Sequence, residues 1–136
     1  MIPEATIRVL LAAAEVAGMP EGRAPFKRCS ETESIDVDWT LSDTGSGAWL
    51  LQYAGEPDNL VHISTRALCD ENALAILLEH LRRWLWEKHR VWVVPTKARW
   101  EARQAYPRGY IVVAAGPTYE LCIASAVEAM KEKPDA

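Results

Sequence analysis

The stretch Asp70 to His89, DENALAILLEHLRRWLWEKH, constrains the chain most, because its period, ends and length all specify one structure. Leu74, Leu77, Leu78, Leu81 and Leu85, with Trp84 beside them, recur at the three- and four-residue spacing of a buried helical stripe. Glu71, Glu79, Arg82, Arg83, Glu87 and Lys88 fill the opposite side. Acids come first and most of the bases last, the order a helix dipole favours, and Asp70 stands where it can cap the free amides of the first turn. The segment is predicted as a helix. An apolar stripe of this kind needs a second layer to cover it, so the rest of the chain must supply a sheet or further helices.

The flanking segments supply both. Pro3 to Ala17 is predicted as a helix with Ile7, Leu10, Leu11, Ala14 and Ala17 on one side, stopped by Gly18 and Pro20. Residues 19–34 are polar and broken by Pro and Gly, which predicts an irregular connection. Ile35, Val37, Trp39 and Leu41 alternate with Asp36, Asp38 and Thr40, the period of a strand with one wet face. Ser42 to Gly47 forms a turn, Ala48 to Tyr53 returns as the second strand of a hairpin, and Leu60 to Thr65 makes a third strand. After the central helix, Val91 to Val94 and Gly109 to Ala115 give two more strands, separated by the charged stretch Lys97 to Arg108, which reads as a solvated loop. Thr118 caps a last helix with Leu121, Ile123, Ala124, Val127 and Met130 on its apolar side, Pro134 stops it, and residues 132–136 form a frayed tail. The expected architecture is one α+β domain over residues 1–136, in the order α-β-β-β-α-β-β-α, with a mainly antiparallel sheet of about five strands covered by helices. A chain of 136 residues buries enough surface to hold together without disulfides or a metal.

The order α-β-β-β-α invites comparison with double-stranded-RNA-binding domains, whose second helix opens with bases against phosphate. Asp70-Glu71-Asn72 at that position repels phosphate, so the comparison fails. From the third strand onward the chain resembles small phage and prophage proteins of an α/β/α sandwich type. The likeness lies in a strand, a Leu- and Trp-bearing helix, two strands with tryptophan, and a Pro-Thr turn into a helix patterned like Gly116-Pro117-Thr118-Tyr119-Glu120-Leu121-Cys122-Ile123-Ala124-Ser125-Ala126. The resemblance implies a fold and a phage-related setting, and no catalytic residues come with it.

Chemistry is sparse. The longest early apolar run, Val9 to Ala14, is too short to cross a bilayer and lacks the flanks of a signal peptide, so a cytoplasmic protein with no membrane contact is expected. Cys29, Cys69 and Cys122 are widely spaced, which suggests neither a disulfide framework nor a zinc site, and at least two are expected to be buried thiols. His62, His80 and His89 form no metal-binding pair, and no cofactor is expected. Cys69, ahead of a helix N-terminus with His62 or His80 as a base, is the best nucleophile on offer, and Asp36 with Asp38 the best cation pair.

Charge segregation is the clearest signal. Between Arg82 and Arg108 stand eight bases against two acids, Glu87 and Glu101, whereas the whole chain carries −4. Trp84, Trp86, Trp92, Trp100, Tyr106 and Tyr110 are interleaved with those bases, although Trp84 and Trp92 can equally serve the core. Arg82, Arg83, Trp86, Arg90, Arg99, Trp100, Arg103 and Arg108 are therefore the candidate contacts for a protein partner, for a second copy of the chain, or for nucleic acid held by stacking and phosphate contact. Glu31, Glu33, Asp36, Asp38 and Asp43 form a separate acidic face suited to a basic groove. The leading expectation is a non-enzymatic phage or prophage accessory protein that binds a protein partner, as an inhibitor of a host defence complex would. The alternatives are a nucleic-acid-binding module built on the 82–108 region and a small enzyme built on Cys69 or Asp36 and Asp38.

Overall fold

The computed structural model describes residues 3–26, 35–43, 49–55, 62–68 and 70–133, without the side chains of 23–26, 35–37, 43, 52–55, 62–68 and 70. Ten elements follow in the order α1 (Glu4–Ala17), β1 (Glu21–Phe26), β2 (Ile35–Asp43), β3 (Trp49–Gly55), β4 (His62–Leu68), α2 (Asp70–His89), β5 (Val91–Pro95), β6 (Trp100–Tyr106), β7 (Gly109–Gly116) and α3 (Tyr119–Met130). The protein is α+β, as expected, but its strands form two sheets. One has the order β1-β2-β3-β4 and the other β5-β6-β7, and every pairing is antiparallel. The expected single sheet of about five strands is thereby corrected. Two of the additional strands lie where loops were expected: β1 within 19–34, and β6 within the charged stretch Lys97–Arg108. No helix among the described residues is long and apolar enough to cross a membrane.

The chain divides into two compact units, Met19–Ala73 on the one hand and Met1–Gly18 with Leu74–Ala136 on the other. In the first, strand alternation sorts the residues. Leu41 stands opposite Leu51 and Asp43 opposite Trp49, so Leu41, Leu51 and Trp49 share one side of the sheet, and all three are buried. Burying a Leu contributes roughly 1.5–3 kcal/mol, which makes this strip the anchor of the unit. Trp39 lies on the same side, across from Gly22. A Cβ at Gly22 would come within 2.6 Å of the Trp39 indole, so only glycine lets the ring lie against β1. Asp38, on the opposite side, is exposed, as its place in the alternation predicts.

The second unit holds the helices. Pro3 opens α1, and its carbonyl accepts from the Thr6 and Ile7 amides. Gly18 closes α1 at φ +87, a conformation that costs glycine little, and its carbonyl accepts a 2.8 Å hydrogen bond from His80 Nε2 on α2. Thr118 caps α3 by accepting from the Leu121 amide at 3.2 Å. Cys122, Ile123, Ala126 and Val127 of α3 are completely buried, and the helix packs against α1 and against β5, β6 and β7. In α2 the leucine stripe behaves as its spacing predicts: Leu74, Leu77, Leu81 and Leu85 are at most 1% exposed, while Leu78 and Trp84 are half-buried at its margin.

The end of α2 sets up the sheet that follows. Arg90 takes the left-handed conformation at φ +55, its amide donates to the Trp86 carbonyl at 3.0 Å, and its carbonyl accepts from the Ala105 amide on β6. This is a helix stop of the kind glycine usually makes. His89 is buried: its ring meets Trp84 edge-on at 4.9 Å, and its carbonyl accepts from Gln104 Nε2 at 3.1 Å.

Candidate functional site: an arginine and aromatic face

Register decides which residues of the three-stranded sheet look inward. Trp100, Ala102 and Gln104 share one side: Trp100 meets Tyr119 of α3 at 5.2 Å, Ala102 is completely buried, and Gln104 reaches Met130 of α3. Their cross-strand neighbours Val91 and Val93 belong to the same side. The other side carries Trp92 beside Arg103, Val94 beside Glu101, and Ala105 beside Tyr110, with Val112 opposite Arg103.

On that outward side the rings and guanidinium groups form a chain of contacts. Arg90 lies over the Trp86 ring at 5.1 Å, Trp86 meets Trp92 edge-on at 6.3 Å, Trp92 meets Tyr110 edge-on at 6.0 Å, and Arg103 lies over Tyr110 at 4.4 Å. Such contacts contribute about 0.5–1.5 kcal/mol each, enough to hold the rings in fixed orientations without burying them. Its outer rings stay open to solvent, Trp86 at 43% and Tyr110 at 49%. A groove of about 250 Å³ runs beside it, lined by Arg82, Trp86, Val91, Trp92, Val93 and Tyr119.

Four of the arginines share two glutamates. Glu101 accepts from Arg99 and from Arg103, each at 3.2 Å, and these two guanidinium groups, Arg103 foremost, hold its carboxyl below the usual glutamate range. Glu79 on α2 pairs with Arg82 at 2.6 Å and with Arg83 at 3.4 Å, and the Arg82 hydrogen bond lowers its carboxyl likewise. Of the expected contact residues, then, Arg82, Trp86, Arg90, Arg99 and Arg103 are brought together around Trp92. Arg83 points along the exposed side of α2 and Arg108 sits exposed at the β6–β7 turn. Trp100 belongs to the opposite side, against α3. Sequence reasoning counts Trp92 and Tyr110 among the aromatics interleaved with the bases but names neither as a contact, and it leaves Glu101 out of the site. All three become visible once Trp100–Tyr106 is taken as a strand, because cross-strand pairing then sets Trp92 beside Arg103 and Tyr110 diagonal to it.

The remaining candidates do not converge. Glu31, Glu33 and Cys69 lie outside the described residues, as do the side chains of Asp36, Asp43 and His62. Asp38 is exposed beside Glu21, Gly22, Trp39 and Thr40 along a shallow depression of about 610 Å³. His80 is engaged by the Gly18 carbonyl. Cys122 is a free, completely buried thiol, and burial pushes its pKa up, the opposite of what a nucleophile requires. Among the described residues no three His, Cys, Asp or Glu side chains approach closely enough to hold a metal ion. Comparison with family models, with curated proteins and with solved structures finds no match to this chain.

Proposed function

We propose that the protein is a non-enzymatic binding module that grips a protein partner with the outward face of its three-stranded sheet. The observation that carries the reading is the unbroken chain of contacts from Arg90 through Trp86, Trp92 and Tyr110 to Arg103, half-exposed along its length. Trp, Tyr and Arg dominate the energetics of protein interfaces because they offer large area with few rotamers to immobilise. Rings already held in place lose less freedom on binding. Arg90 adds a second argument, since a non-glycine residue at φ +55 is uncommon and such backbone clusters at functional positions.

Nucleic acid is the weaker occupant. Base stacking needs open ring faces, and one face of Trp86 and one of Tyr110 are covered by Arg90 and Arg103. Attraction for phosphate is also reduced, because Arg82, Arg83, Arg99 and Arg103 share two glutamates that cancel half of their charge. The resemblance of the C-terminal part to phage sandwich proteins supports placing the partner among cytoplasmic host proteins, with a defence complex as the first to examine. Exposed Glu21 and Asp38 of the Met19–Ala73 unit would offer a basic partner a further contact.

The test has two arms. A photo-crosslinking residue at Trp92 or Tyr110 should capture one discrete host protein, a residue at exposed Ala12 on α1 should not, and Arg103→Glu should abolish the capture. The second arm measures binding to labelled single- and double-stranded DNA and RNA at low and physiological salt. Salt-sensitive binding lost in Arg103→Glu, with no protein captured, would replace the protein partner by a nucleic acid.

A further inference from the structure

β7 is an edge strand of its sheet, hydrogen-bonded to β6 on one side and to no other described strand. Its first half is unusually bare: Tyr110, Ile111 and Val112 are 49%, 48% and 44% exposed, and Tyr106 across the turn is 51% exposed. Strand alternation places Tyr110 and Val112 on the outward side and Ile111 on the other, so neither side of this end is covered. From Gly109 to Gly116 the strand carries no charge and no proline. Natural edges are normally blunted by a lysine, a proline or a covering segment, because a bare apolar edge pairs with whatever strand it meets.

We propose that β7 pairs antiparallel with β7 of a second copy, joining two three-stranded sheets into one of six. The occupant follows from symmetry and charge. A two-fold axis through Ile111 sets Ile111 against Ile111, Tyr110 against the second copy's Val112, and Gly109 against its Val113. Aromatic against β-branched is a favourable cross-strand pair, and like charges opposite each other are the usual obstacle to self-pairing. None arises here: even Arg108 falls opposite Ala114. The register shift between β6 and β7 at Ala102/Arg103, which leaves Val113 as the extra residue, marks where the regular stretch ends, so pairing is confined to the exposed trio and its immediate neighbours. Ile111 and Tyr106 from the two copies close over one another on the inner side. This pairing does not depend on the identity of any other partner, and it brings two arginine and aromatic faces into a single surface.

Sedimentation equilibrium of the full chain over a range of concentrations tests it. The expected mass is twice 15.2 kDa, falling to the single-chain mass in Ile111→Lys, which sets two ammonium groups against each other at the axis. Val9→Lys, at another exposed apolar position, should leave the mass doubled. A single-chain mass for the unmodified protein at every concentration, or a doubled mass that survives Ile111→Lys, overturns the proposal. A disulfide checks the register without relying on that variant's fold. With Cys29 and Cys69 replaced by Ser, Ile111→Cys should form an intermolecular bond under mild oxidation, because directly opposed residues of an antiparallel pair bring their Cα atoms within disulfide range. Val9→Cys should not, and equal cross-linking at both positions would count against the pairing.

Discussion

The two sides of the β5–β6–β7 sheet are built from the same three strands and differ in almost every other respect. Inward, the residues are Val91, Ala102, Trp100 and Gln104, and Gln104, the one fully polar member, donates to the His89 carbonyl. Outward, the adjacent residues are Trp92, Glu101, Arg103 and Tyr110, held to one another by ion pairs and ring contacts and left half-exposed. A buried side tolerates a polar group only when it is satisfied, so it selects small and apolar residues. A side that merely keeps its own stability has no need of an ordered row of tryptophan, tyrosine and arginine. The order on the outward side is what requires an explanation outside the fold.

The largest effect should come from exchanging the two environments. Ala102→Asp places a carboxylate where no solvent reaches, and it should cost on the order of 3–5 kcal/mol in a denaturant melt. Its neighbour Glu101 changed to Ala should cost far less, since that side chain faces outward. Comparable losses at the two positions would erase the distinction between the sides.

A smaller loss is expected at Gln104→Leu. The volume is nearly kept, but the His89 carbonyl loses its side-chain donor in a buried setting, a loss of about 1–3 kcal/mol. A neutral result in chemical denaturation would mean that another donor reaches this carbonyl.

How far these sides are legible in sequence depends on the element. The leucine stripe of α2 and the threonine cap of α3 follow directly from spacing, because helices declare themselves through long runs of one period. The alternation from Ile35 to Leu41 likewise places Leu41 inside and Asp38 outside. β6 is hidden because WEARQAY puts polar Gln104 on its inward side and apolar Ala105 on its outward side, which blurs the alternation, and because Arg99, Glu101 and Arg103 read as a charged loop although they are paired with one another. β1 is hidden for a different reason: Glu21–Phe26 contains Gly22 and Pro25, both poor strand residues, yet the strand lies at a sheet edge where a proline is tolerated. With those two strands unseen, two sheets read as one. The arginines of the site are visible as a cluster in sequence, but Trp92 and Tyr110 join them only through register, which a single sequence does not display.

Arg90→Gly separates stability from function. Glycine takes φ +55 without the strain an arginine bears, so the helix end should be unchanged or stabilised by up to about 1 kcal/mol, partly offset by the lost stacking on Trp86. Partner capture at Trp92 should nevertheless weaken. A clear loss of stability, or undiminished capture, would show that Arg90 serves the fold alone.

The smallest and most specific effect is in acid. Glu101 is held below the ordinary glutamate pKa by its hydrogen bonds from Arg103 and Arg99, so the folded state releases its proton more readily than the unfolded chain. The sign follows from linkage: the contribution is present in full above the ordinary glutamate range and disappears as the pH falls through that range and past the lowered folded value. Glu101→Gln mimics the protonated form at every pH. The melting temperatures of the two proteins should therefore differ slightly at about pH 7 and converge as the pH is taken down through the ordinary glutamate range and past the lowered folded value. A gap that persists unchanged into acid would mean that the outward arginines are ordered by the rings and not by Glu101, and would shift the weight of the face onto its stacked contacts.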